Sequence, residues 1–468
     1  MDIDKLASDI EKIVSKEYIS TNLFERIKSS MDVFPYEAER ENLPYLVVMP
    51  ANKDEISRIL IYANEHDIPV YIRGSGTSFT GASRYQEPGI VIMTRRLNHF
   101  QIYESLNYFE CGPGLICNDV SKKLISKGFF LPFAPGSRLI ASMGGLVSNN
   151  TSAHIIDASI GKPADYILGV EAVLPTGEIV ETGTKGMRRI AGNDLTKIFA
   201  GGDGIFGVIT NIRMRLVPAF SYAYGYAIYD DLDRLAKGVQ RMYWEKRPIP
   251  LFMEFMEEKT ANIGFELKGL GSPGGSVIFF VSIGRTKKEA SEHLDLLFES
   301  FKEENPLTLR KIEDMDEWEK LWSAREVIGS FLMQKTGNQW SSAEIVSNLE
   351  RLVECMEDAK NFNKGLPVLG KLDLYLFGHI GSLTMHPGVI IPKDWDNDMK
   401  REAIREKFQR EEEINLKYGT CGGEWGQLAY RTSFFRRRYG EVGYNILKNL
   451  KKALDPKNIL NRGVLEGV

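Results

Sequence analysis

Cysteine and histidine are scarce, with four of the first and six of the second in 468 residues. Cys111, Cys117, Cys355 and Cys421 are too few and too scattered for a disulfide framework and form no CxxC pair. That excludes the usual ligation of an iron–sulfur cluster and fits a reducing compartment. No stretch reaches about 18 consecutive apolar residues, so no transmembrane helix is expected. The opening MDIDKLASDIEKIVSKEYIS is charged and helix-like, unlike the apolar core of a signal peptide. An excess of one charge is missing too: 59 basic against 63 acidic residues leave −4, which gives no reason to expect a nucleic-acid partner. The short basic run Arg436-Arg437-Arg438 reads as a solvated helix face. Neither a Walker A sequence nor G-x-G-x-x-G ahead of a helix occurs. The expectation is a cytoplasmic globular chain, 43% hydrophobic and long enough for two or three packed domains.

Periodicity supplies the architecture. YLVVMP reads as a strand, DEISRILIYANEH as an amphipathic helix with Ile56, Leu60, Ile61 and Ala63 at its apolar positions, and IPVYIRG as a second strand. Strands GIVIMT and YFECGPG follow, then a hairpin about Pro175-Thr176-Gly177 and a last strand ending near Pro218. From 221 to 300 the order strand, helix, strand, Gly-rich turn, strand, helix fits an antiparallel sheet covered by helices. Residues 312–362 read as helix-rich, another helix runs over most of 397–416, and the last block from Tyr418 reads as the Gly-rich turn YGTCGGEWG and a helix through VGYNILKNLKKALDP.

Two kinds of motif carry chemistry. RGSGTSFTGA at 73–82, APGSRLIASMGGLVSNNTSA at 134–153 and FAGGDGIFGVIT at 199–210 are glycine-rich loops within one region. Consecutive backbone N–H groups in such turns hold phosphate oxygens, and glycine lets the ligand approach. Three of them point to a large nucleotide, although spacing does not show that they meet. FGHIGSLTMH at 377–386 puts two histidines seven residues apart. In a straight strand that odd spacing would place the rings on opposite faces, so convergence needs a bend at Gly381. Metal ligands, an acid–base pair and structural histidines all stay open on spacing alone.

These loops, with DYILGVEAVLPTGEIVETG, AGNDLTKIFAGGDGIFGVITNIRMRLVP and the closing LDPKNILNRG, resemble the ordered motifs of the flavoprotein family that contains bacterial glycolate oxidase catalytic subunits and D-lactate dehydrogenases. The resemblance runs from about residue 45 to 465. It implies an α+β fold: a two-subdomain FAD-binding domain of vanillyl-alcohol oxidase type with an antiparallel-sheet α+β cap domain. Mapped onto this chain, that gives an N-terminal helical segment (1–44), the FAD-binding domain (45–218), the substrate-binding cap (219–417) and a C-terminal segment returning to the FAD domain (418–468). The implied FAD contacts are Arg73, Gly74, Ser75, Gly76, Thr77, Ser78 and Gly81, then Pro135, Gly136 and Ser137. Gly144, Gly145, Ser148 and Asn149 follow, and last Gly207, Val208 and Ile209. Thr77 stands where relatives that attach the flavin covalently carry histidine, so noncovalent FAD is expected.

The same resemblance makes His379, His386 and Glu424, the last in GGEWG, ligands of a divalent metal, Zn or Mn. Arg325 matches the arginine that forks onto a substrate carboxylate. The implied reaction takes a 2-hydroxy acid such as D-lactate or glycolate to the 2-oxo acid, with hydride passing to flavin N5. Electrons then go to an electron-transfer flavoprotein, an iron–sulfur protein or a quinone, and a homodimer is compatible with the family.

Two departures stand out. Ser382 to Met385 replace the usual Asp-Gly-Asn-Leu, and Trp425 replaces the histidine read as general base, whose role an indole cannot take. Three repairs stay open: the metal removes the need for a base, Tyr375 or Glu344 serves from another segment, or Trp425 walls a pocket for a larger substrate. A catalytically altered FAD-binding subunit that holds an electron-transfer partner is the alternative function. Cys421 is expected to be a small core residue.

Overall fold

The computed structural model describes the chain except residues 34–39, 79–80, 82–84, 134, 152, 187–191, 327, 329–332, 335–338, 421, 423–431 and 466–468, and the side chains of 432–434. Cys421, Glu424 and Trp425 therefore lie outside the described residues. The chain divides into two compact units, one of Met1–Thr151, Lys162–Pro218 and Glu424–Val468, the other of Ser152–Gly161 and Ala219–Gly423.

The first unit holds two main sheets. In one, Leu46–Val48, Ile90–Met93 and Val70–Arg73 run parallel, with the short strand Ile19–Ser20 antiparallel at the edge. LVV, IVIM and VYIR are nearly continuous apolar runs, as expected of strands buried on both faces. The crossover helix Lys53–Glu65 buries Ile56, Ile59, Leu60 and Ala63, and starts where the Asn52 side chain accepts from Glu55 N at 2.9 Å. The other sheet is antiparallel, in the order Phe100–Tyr103, Tyr108–Cys111, Val208–Arg215, Ile167–Val173, Ile179–Glu181. Its last pair turns through Pro175-Thr176-Gly177, where Gly177 has φ +89° and so takes a conformation that costs glycine least.

The second unit is an antiparallel sheet ordered Thr308–Ile312, Ser221–Tyr229, Ser276–Gly284, Phe252–Met256, Leu374–Gly378, Thr384–Ile391, Gln339–Ser342. Alternation along the central strands feeds two cores. Ile278, Phe280, Met253 and Phe255 pack under helices Leu232–Trp244, Lys287–Lys302 and Leu352–Lys360. Val277, Phe279, Val281 and Met256 pack with helices Glu258–Leu267 and Met315–Glu326. Gln339–Ser342 and Ile345–Val346, inside the stretch read as helix-rich, are strands instead: Trp340 pairs with Ile390 and Ile345 with Met385. Edge pairing and burial of Trp340 override the local helix pattern there.

Candidate functional site

Glu254 sits in FMEFM, between Met253 and Phe255 of the strand Phe252–Met256, and is wholly buried. Alternation turns its carboxylate away from those two neighbours. Oε2 accepts from Arg325 Nη2 at 2.8 Å, and Oε1 from His379 Nδ1 at 2.6 Å. His154 Nδ1 lies 3.2 Å from the same Oε1, at ion-pair distance but without hydrogen-bond alignment. Arg325 comes from helix Met315–Glu326, where Trp318, Trp322 and Arg325 recur at helical spacing. The two indoles stack at 5.7 Å, and the guanidinium lies 4.4 Å above the Phe377 ring. His154 meets Trp322 and His379 edge-on, at 5.2 and 5.1 Å.

Charge in this cluster follows from burial. Desolvation pushes the Glu254 carboxyl up, but His379, His154 and Arg325 together outweigh it and hold the group well below the usual carboxylate range. Desolvation also pushes His154 down, more strongly than Glu254 draws it up, so this imidazole is neutral at neutral pH. Arg325 is then the lasting countercharge to Glu254.

His379 and His386 are brought together by a hairpin. Phe377 pairs with His386 across Leu374–Gly378 and Thr384–Ile391, and the connection is a single 3-10 turn, Ile380–Ser382, closed by Leu383 at φ 58°. A Cβ on Gly381 would lie 2.2 Å from Ile156 Cδ1, so the turn is packed where it bends. The two rings end 4.9 Å apart, edge to face. His386 Nδ1 lies 3.1 Å from the Ala343 carbonyl, which can only accept, so this nitrogen donates. Facing an ionised carboxylate, His379 Nδ1 donates as well. A ring that donates at Nδ1 binds a metal through Nε2, the arrangement of a metal-ligating imidazole. Among the described residues His154, Glu254 and His379 offer ligand atoms all within 4.8 Å of one another, close enough to hold a metal ion.

Of the residues singled out in the sequence, Arg325, His379 and His386 share this cluster. Tyr375 instead stacks under Lys259 and beside Trp340. Glu344 is buried, with its N–H donating to Glu411 and its carbonyl accepting from Asn415 of helix Asn397–Lys417. Sequence reasoning missed Glu254 and His154. Glu254 had a signal, a lone carboxylate in an apolar strand buried on both faces; TSAHII around His154 offers none.

In the first unit the three glycine loops meet. A Cβ on Gly74 would lie 2.2 Å from Ser142 Oγ and one on Gly145 3.4 Å from it, so this hydroxyl sits between the first and second loops. Asp203 N donates to Ser148 O at 2.9 Å and Gly201 N to Val147 O at 3.0 Å, tying the third loop to the second. Asn461, in the closing LNRG, accepts from Ile72 N and donates to Asp203 O, joining the strand before the first loop to the third.

Ser75 is exposed, while Thr77, Ser78, Ser137, Ser148 and Asn149 are half-buried. Gly76 and Gly81 have φ +69° and +83°, and Gly144 packs on Pro113. Pro135 is buried beside exposed Gly136. Gly207 is buried just ahead of the strand Val208–Arg215, and Val208 and Ile209 are buried within it, Val208 in the core. Arg73 donates from Nη1 to the Ser29 carbonyl and from Nη2 to the Met31 carbonyl, both at 2.7 Å. Ser142 Oγ, by contrast, is buried with no hydrogen bond among the described residues, and it does not cap its own helix Met143–Asn149. An orphaned hydroxyl between two glycine turns suits an anionic ligand.

Residues 44–183 match the FAD binding domain, and residues 221–465, more than half the chain, match the FAD linked oxidases, C-terminal domain. The chain belongs to the FAD-linked oxidases. As a member it binds FAD and is an FAD-dependent oxidoreductase acting on a small organic substrate.

It is 28% identical to the glycolate oxidase subunit GlcD of Bacillus subtilis (strain 168), over 92% of this chain and 91% of that one. It is 26% identical to the D-lactate dehydrogenase of Archaeoglobus fulgidus, over 92% and 93%. Among solved structures it shares the fold of p-cresol methylhydroxylase, with a TM-score of 0.80 at 14% identity over 99% of this chain and 96% of that one. The fold of alkyldihydroxyacetonephosphate synthase agrees with a TM-score of 0.73 at 18% identity, over 98% and 84%. The fold class is thus the vanillyl-alcohol oxidase type read from the sequence, with its two-subdomain FAD-binding part. No helix among the described residues is long and apolar enough to cross a membrane.

Proposed function

We propose that this FAD-linked oxidase converts a 2-hydroxy acid of the D-lactate or glycolate class to the 2-oxo acid. The observation that carries the reading is the buried Arg325–Glu254–His379 cluster with His386 beside it, a cation and imidazoles enclosed by Trp322, Phe252 and Phe377. Relatives named for glycolate and D-lactate, and the D-2-hydroxyglutarate–pyruvate transhydrogenase DLD3 of Saccharomyces cerevisiae, 24% identical, all take such acids by name.

Arg325 binds the substrate carboxylate. Its Nη2 is spent on Glu254, while its Nε is buried without a partner among the described residues and would be satisfied by an incoming carboxylate. The aromatic walls exclude water and strengthen that pairing. His379 and His386, each a donor at Nδ1, present Nε2 to a divalent metal, with Glu424 as the expected third ligand; nitrogen and carboxylate donors suit Zn or Mn. Such an ion would act as a Lewis acid on the substrate hydroxyl, lowering its pKa. FAD, held noncovalently by the glycine loops and Ser142, supplies the two-electron acceptor at N5. A separate protein, an electron-transfer flavoprotein or an iron–sulfur protein, then takes the electrons. The cap over residues 219–417 selects the acid.

Elemental analysis of the purified protein tests the metal: one Zn or Mn per chain is expected. Its absence, with FAD bound and no acid oxidised, would favour an altered FAD-binding subunit that holds an electron-transfer partner.

A further inference from the structure

Glu254 is close enough to the imidazoles to be taken for a metal ligand, yet its two oxygens are already engaged. Oε2 takes the Arg325 Nη2 proton at 2.8 Å, and Oε1 takes that of His379 Nδ1 at 2.6 Å with His154 Nδ1 at 3.2 Å. A 2.6 Å contact from a ring N–H to an ionised carboxylate is a short, charge-assisted hydrogen bond. On an imidazole such a bond fixes both the tautomer and the plane of the ring. His386 reaches the same tautomer by a different route, donating to the Ala343 carbonyl of a neighbouring strand connection.

We infer that Glu254 is a positioning residue of the metal centre and not one of its ligands. It holds His379 as the Nδ1–H tautomer and clamps Arg325 to the same carboxylate, so that a metal-binding imidazole and the substrate-binding cation move as one unit. Strand Phe252–Met256 makes the clamp rigid, because Phe255 pairs with Gly378 and Met256 with Phe377, immediately before His379. The inference rests on the metal reading given under Proposed function.

The test compares Glu254→Gln and Glu254→Asp with His379→Ala, the reference for a lost ligand, in the full-length FAD-loaded protein. Zn retention is measured against a competing chelator, and the visible spectrum is recorded after Co(II) loading. Glu254→Gln is expected to weaken Zn binding about 10–100-fold while returning, at saturating metal, to one ion per chain with the parent's Co(II) spectrum. Glu254→Asp, which keeps the charge, recovers part of that loss. A Glu254→Gln spectrum matching that of His379→Ala would make Glu254 a ligand and overturn the proposal, as would a Zn affinity within about twofold of the parent.

A second measurement needs no variant at Glu254. With ¹⁵N-labelled histidine, the His379 resonances, identified by their loss in His379→Ala, should show a single locked Nδ1–H tautomer; averaging between tautomers overturns the proposal. Should the parent bind no divalent ion, the metal reading fails by itself, and the tautomer alone then decides whether Glu254 positions His379.

Discussion

Replacing Arg325 by Met removes the lasting positive charge beside Glu254 but keeps an unbranched chain of similar length. Arg325 is 4% exposed and Glu254 0%, so solvent screens the pair little. Breaking a buried ion pair from one side costs about 3–5 kcal/mol. His379 still donates to Oε1, which puts the expected loss near the lower end, about 3 kcal/mol. For a unit of roughly 150–250 residues this lowers the melting transition by about 6–12 °C.

Scanning calorimetry near neutral pH measures the shift. The double variant Arg325→Met with Glu254→Gln should regain most of it, since an amide needs no countercharge. The pH dependence has a definite sign. In the parent Glu254 is held low, so its contribution is complete above the ordinary carboxylate range and is lost as the pH falls below that range. In the variant the carboxyl loses the Arg325 contribution and moves up from its parent position, so the deficit against the parent narrows as the pH falls. A single variant melting within about 2 °C of the parent, or a double variant no better than the single, refutes the view that the pair is buried and coupled.

Three further outcomes are expected. Ser142→Ala removes a hydroxyl with no described intramolecular partner, so the FAD-free protein should melt like the parent while FAD affinity falls about 10–100-fold; equilibrium titration of flavin fluorescence measures this, and an unchanged affinity counts against the cradle. Gly381→Ala forces a methyl against Ile156 and Met253 and should cost about 1–3 kcal/mol, read by denaturant titration. Trp425→His returns an imidazole to the GGEWG motif and should raise turnover on small hydroxy acids at least about tenfold; an unchanged or abolished rate in steady-state assays would mean that the indole shapes the pocket instead.

The fold was legible where local pattern and tertiary role agree. Strands LVV, IVIM and VYIR are apolar because they are buried on both faces, and glycines at positive φ, Gly76 and Gly177 among them, marked their turns in the sequence. It failed for Gln339–Ser342, whose strand state is set by pairing with Thr384–Ile391 far along the chain. The site followed the same rule. His379 and His386 lie in one hairpin, yet spacing alone left their roles open and only the family resemblance assigned them. His154 reaches the cluster from the short stretch Ser152–Gly161, which packs with the second unit, and no local pattern encodes that excursion. Glu254 was readable only as an anomaly, a charge in FMEFM, and its meaning depends on Arg325, 71 residues away. The meeting of the glycine loops likewise depends on Ser142 and Asn461, whose types alone suggest no more than a cap and a turn.

The central claim is most directly tested by mixing the FAD-loaded protein anaerobically with D- and L-lactate, glycolate, malate and 2-hydroxyglutarate while following the flavin band near ~450 nm. The account predicts that at least one of these acids bleaches the band and that Arg325→Met needs far more of it to do so. A flavin that stays oxidised with all five would contradict it.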